Sequence, residues 1–69
     1  MAERDKLEKK LRKYRSALAH YKGLIKEAEQ EMKDGIISKE KYRKRKRNCE
    51  HKKNQVLKKM KRIRLKMQE

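Results

Sequence analysis

Apolar side chains recur along the first half of the chain at Leu7, Leu11, Tyr14, Leu18, Tyr21, Ile25, Ala28 and Met32. The steps alternate between four and three. That spacing keeps successive side chains on one face of an α-helix and, sustained over four heptads, defines a coiled-coil seam with Leu7 at d and Leu11 at a. Asp34-Gly35 closes the segment, since glycine takes the left-handed conformation that follows a helix C-terminus. Ser38 is placed to cap a second helix through its hydroxyl, and Glu40 stands in the first turn, near the positive end of that helix. Ile37 and Tyr42 hold the two positions of a hydrophobic staple across the cap. A second seam follows with the same spacing: Tyr42, Lys46, Cys49, Lys53, Val56, Met60, Ile63 and Met67. Two of its positions are lysine, so it is the weaker of the two.

The pattern predicts an all-α protein, a single domain over residues 1–69. Helix 1 covers about 3–34, a turn 35–37 and helix 2 about 38–68. So short a turn makes the helices antiparallel neighbours, which puts a positions opposite d positions. The expected layers, from the open end to the turn, are Leu7/Met67, Leu11/Ile63, Tyr14/Met60, Leu18/Val56, Tyr21/Lys53, Ile25/Cys49, Ala28/Lys46 and Met32/Tyr42. No layer lacks a partner. Lys53 and Lys46 can pack their aliphatic stems and send their ammoniums to water. On the flanks, Glu8–Arg64, Lys22–Glu50, Glu29–Arg43 and Glu31–Arg45 oppose charges of opposite sign, while Lys10–Lys66 is a like pair. A parallel self-dimer would bring Lys10 to Arg15 and Lys59 to Arg64, both repulsive. Leu24, Leu57 and Leu65 lie outside the seams and form no common stripe, so a monomeric hairpin is expected in preference to a dimer.

The turn residues Lys33-Asp34-Gly35-Ile36-Ile37-Ser38-Lys39-Glu40-Lys41-Tyr42 resemble the turn of the short C-terminal helical-hairpin domains, which read roughly D-G-I-[IL]-[ST]-x-E-E-[FY]. The match departs at Lys41. The resemblance implies hairpin geometry and no chemistry.

Composition narrows the function. The chain has 25 Lys plus Arg against 10 Asp plus Glu, a net charge of +15 on 69 residues, with no Phe, Trp or Pro. Neither an apolar run long enough to span a membrane nor a signal-peptide core is present, so no membrane insertion is expected. The single Cys49 fits a reducing compartment, and an intracellular location is expected: cytoplasm or nucleoid, or nucleus in a eukaryote. Cys49 and His51 supply too few ligands at the wrong spacing for zinc. There is no phosphate-binding glycine loop and no nucleophile with a base, so neither an enzyme, a cofactor nor a small-molecule substrate is expected. Tyr14, Tyr21 and Tyr42 all fall on the seam and read as core side chains, not as a platform for unpaired bases.

Charge is unevenly distributed. Residues 23–51, around the turn, hold nine basic and six acidic residues, net +3; the remaining open half holds sixteen and four, net +12. Glu27, Glu29, Glu31 and Asp34 lie beside the run Arg43–Arg47, whereas few acids answer the lysines of the open half. The g column of helix 2 is wholly basic: Arg45, Lys52, Lys59 and Lys66. Arg62 stands beside it in the c column, with Asn48 and Gln55 as side chains able to reach a base edge, and Lys6, Lys10 and Lys13 join from helix 1. These eight basic residues are the candidate nucleic-acid contacts. Lys and Arg on phosphates set affinity without reading sequence. The expected function is therefore non-enzymatic binding of DNA or RNA through the phosphate backbone, as in DNA compaction or RNA or ribosome association. The alternative is a coiled-coil adaptor that docks on an acidic protein.

Overall fold

The first seam forms α1, Glu3–Lys33, and the second forms α2, Lys39–Gln68. A computed structural model describes residues 3–68, and Met1, Ala2 and Glu69, the ends of the expected domain, lie outside the described residues. The helices pack against each other as an antiparallel hairpin, a rod with extents of 51 × 16 × 10 Å. That length is what some thirty residues at about 1.5 Å each produce.

The turn is built from local hydrogen bonds. Gly35 has φ +79°. The amide of Ile36 donates to the carbonyl of Glu31 (2.8 Å), and that of Gly35 to Met32 (3.1 Å). This pair of bonds is the Schellman motif, which satisfies carbonyls that the helix end would otherwise leave unpaired. Three residues on, the Ser38 hydroxyl accepts from the amide of Lys41 at 3.1 Å and its carbonyl from Tyr42 at 3.0 Å, the two bonds of an N-cap. α2 accordingly begins at Lys39, with Ser38 as its cap and not its first residue. Ile37 and Tyr42, the staple positions, are both half-buried.

The seams are the ones the spacing defines. All eight α1 positions are buried or half-buried, as are seven of the eight in α2; Lys46 alone is exposed. Burial is not even along the rod. Leu11, Met60 and Ile63 form the buried cluster, with Leu7, Tyr14, Leu18, Val56 and Met67 packed against it. These are the four layers farthest from the turn. Met60 is the largest fully buried side chain, at 2% exposure. Toward the turn only Ala28, at 1%, is fully buried. There the small Ala28, the small Cys49 and the two seam lysines remove the apolar bulk that a core needs.

Lys53 is half-buried, which fits a stem packed along the seam. Lys46 does something different. Its Nζ stands 5.9 Å from the centroid of the Tyr42 ring, one helical turn back on its own helix. The expected passage of its stem past Ala28 gives way to a cation–π contact, which leaves the charge in water and requires no desolvation.

Candidate nucleic-acid interface

Heptad geometry puts the g and c columns of both helices on one long side of the rod and the e and b columns on the other. The eight candidate residues Lys6, Lys10, Lys13, Arg45, Lys52, Lys59, Arg62 and Lys66 therefore share a side, and all eight are exposed. They do not share a fate. Nη1 of Arg45 donates to Oε2 of Glu31 at 2.8 Å, so that guanidinium is already engaged across the two helices. Among the described residues none of the other seven takes part in an ion pair, and all seven belong to the open half.

At the extreme open end the two helices enclose a hollow of about 410 Å³ lined by Glu3, Lys6, Leu7, Lys10 and Lys66. It brings Lys6 and Lys10 of α1 together with Lys66 of α2, the like-charged flank pair included. Glu3 is the one acid there. The spacing held the signal that would have found it, since Glu3 stands one heptad before Lys10 in the same g column. Lys13, Lys52, Lys59 and Arg62 lie farther along the same side, outside this hollow.

Of the four opposite-sign flank pairs, only Glu31–Arg45 forms an ion pair among the described residues. Glu8 turns instead to Arg4 (3.7 Å) and Glu29 to Lys33 (3.4 Å), each four residues away on its own helix. Lys22 and Glu50 line a common groove with Lys26, Ile25, Lys46 and Lys53 without pairing. An exposed pair gains little, so a partner one turn away on the same helix competes on near-equal terms with one across the seam. The glutamates near the turn thus tie down Arg45 directly and lower the net charge around Arg43, Lys44 and Arg47 without bonding to them.

Of the two residues considered for base edges, Gln55 has its amide 3.4 Å from the His51 ring nitrogen, on the outer surface of α2. Asn48 lines a groove with Leu24, Glu27, Ala28, Glu31, Arg45 and Cys49, beside the ion pair. Asn48 stands apart from the open-half lysines, whereas Gln55 lies between Lys52 and Lys59 with its amide turned to His51. Cys49 is half-buried in that groove as a reduced thiol. Among the described residues no group of three His, Cys, Asp or Glu side chains is placed to hold a metal ion, and no helix is long and apolar enough to cross a membrane. What the surface offers chemically is cationic nitrogen on exposed, flexible side chains: hydrogen-bond donors for an anion, with the Glu3 carboxylate beside them at the open end.

No family model matches the chain, and no curated protein or solved structure does either. The likeness in the turn rests on the turn residues alone.

Proposed function

We propose that this protein is a non-enzymatic nucleic-acid-binding hairpin that contacts phosphate backbones with little sequence preference, in DNA compaction or in RNA or ribosome association. One observation carries the reading. Lys6, Lys10, Lys13, Lys52, Lys59, Arg62 and Lys66 are exposed on one side of the open half and have no ion-pair partner among the described residues. Self-repulsion on that scale destabilises the isolated hairpin, and a polyanion relieves it. Each lysine or arginine placed on a phosphate displaces condensed counterions, so affinity falls steeply with salt. On this side of the open half the side chain suited to a base edge is Gln55, and its amide is turned to His51, which fits weak sequence preference.

The test compares two triple variants. Replacing Lys59, Arg62 and Lys66 with Gln is expected to keep the helix content and to weaken binding to all sequences about equally. It should also lower the slope of log K against log salt by up to about 0.9 per lost duplex contact. Replacing Lys44, Arg45 and Arg47 with Gln removes the same charge near the turn and is expected to do less. Should the turn variant abolish binding while the open-end variant binds normally, the interface belongs to the other half. Should neither variant alter binding at low salt, an acidic protein becomes the better partner.

A further inference from the structure

We infer that the preferred partner is a double helix, DNA or RNA, whose two phosphate rows are met by two basic columns at the open end; this rests on the phosphate-binding reading above. The first observation is that the columns come from different helices. α1 supplies Lys6, Lys10 and Lys13, and α2 supplies Lys59, Arg62 and Lys66, all exposed on the same side. The hollow shared by Lys6, Lys10 and Lys66 shows the columns meeting across the seam. Packed helix axes lie about 8–10 Å apart. The walls of a duplex groove stand about 6 Å (minor) or 12 Å (major) apart in B-form DNA. Two columns of that intermediate separation, on long flexible side chains, reach both walls of a groove at once. A single strand offers one row of phosphates, and roughly half the charge per unit length.

The second observation concerns the aromatic rings. Binding of unpaired bases draws on exposed aromatic faces, on which successive bases stack. Here the chain has no Phe or Trp. Tyr14 packs against the buried cluster, and Tyr42 lies beneath the Lys46 ammonium. Tyr21 is half-buried on the seam, with the exposed His20 tilted against it at 5.7 Å between centroids. The other exposed ring, His51, is paired with Gln55 on the outer surface of α2. No row of stacking faces accompanies the lysines.

The third is size. A major groove about 12 Å wide admits one helix. The basic side of this rod is the broad one, shared by both helices and 16 Å across, where the rod is 10 Å thick. It therefore rests on the phosphate ridges and bridges a groove instead of entering one. Direct base readout is lost in that position, and a regular helix of either sugar supplies the two rows.

The experiment titrates the full chain with labelled 20-nucleotide probes of one sequence: single-stranded DNA, duplex DNA and duplex RNA, each at several salt concentrations. At least one duplex is expected to bind about tenfold more tightly than the single strand, with the steeper salt slope that paired strands give. Replacing Lys6, Lys10 and Lys13 with Gln removes one column, and the duplex-to-single-strand ratio is expected to collapse toward one at unchanged helix content. Preference for one duplex over the other names the source and satisfies the inference either way. Equal or tighter binding of the single strand by the unaltered chain overturns it while leaving phosphate binding intact, as does a ratio that survives loss of the α1 column. Absence of binding to all three probes at low salt sinks the nucleic-acid reading itself.

Discussion

Around the turn, the two helices are joined by short-range devices. Gly35 at φ +79° closes α1, Ser38 caps α2, and Arg45 reaches Glu31 at 2.8 Å. At the open end none of these operates, and Leu11, Met60 and Ile63 form the buried cluster instead. Charge follows the opposite distribution: net +3 around the turn against net +12 in the open half. The half with the most like charge is therefore also the half with the most buried apolar surface. Apolar burial offsets repulsion without consuming any charge, whereas an ion pair offsets it by occupying the cation. Among the described residues the open half keeps its cations free of cross-helix ion pairs and is supported from beneath by leucine, methionine and isoleucine. In the turn half Arg45 is engaged by Glu31, and the seam tolerates Lys46 because local bonds already hold the chain there.

The largest effect expected from this division is loss of the open-end core. Met60→Ala truncates the largest fully buried side chain and should lower unfolding free energy by about 3 kcal/mol in urea titrations, with the cavity left by partial collapse setting the final figure. Leu18→Ala, in a half-buried layer, should cost less. If both cost the same, stability is spread evenly through the four packed layers and is not centred on Met60.

Next in size is strain at the turn. Gly35→Ala meets no steric obstacle beyond its own backbone, yet requires the left-handed conformation, so about 1 kcal/mol of destabilisation is expected in the same titration. Gly23→Ala provides the contrast. Its added methyl also meets nothing within 4 Å, but there the backbone is helical, and stability should rise by up to about 1 kcal/mol. Opposite signs for the two glycines would confirm that conformation, not space, decides both.

The two seam lysines separate more finely. Lys53→Leu should raise the melting temperature, corresponding to about 1 kcal/mol, because the residue is half-buried and only its charge resists burial. Lys46→Leu should change little, since that side chain is exposed and gives up its contact with Tyr42. A large gain at Lys46 would mean that the turn half can build a core after all.

The smallest effect belongs to the ion pair. Glu31→Gln removes the one cross-helix pair among the described residues and should cost less than about 1 kcal/mol, diminishing further in high salt. Its second consequence sharpens the comparison. With Arg45 released, the turn half should gain affinity for polyanions relative to the unaltered chain, read as a steeper salt slope.

Much of this was legible in the residues. The steps of four and three fixed the helical faces, Gly35 and Ser38 fixed the helix ends to within one residue, and the flank pattern placed Glu31 opposite Arg45. The basic columns were equally plain, because a heptad assigns every residue to a side of the rod. Partner choice among exposed charges was not. Glu8 and Glu29 had partners at matching flank positions and chose others on their own helices, since the differences are fractions of a kcal/mol and depend on where each long side chain rests. The place of Glu3 beside Lys10 was less plain, because acids in a first helical turn, here Glu3 and Asp5, read first as complementing the helix dipole.

The amino-acid order by itself determined that the chain is two helices, where it turns, which face of each helix is apolar and which end of the rod carries the excess of basic charge. Those properties follow from the helical period and the order of residues along the chain, and need no knowledge of how the two surfaces pack. Only the packed structure decided how burial is shared along the rod, that Lys46 turns to Tyr42 while Lys53 stays half-buried, and that Arg45 alone of eight candidate cations is tied to a glutamate across the seam. These outcomes depend on the distances between two surfaces and on the volume left between them, quantities that exist only once both helices are in place.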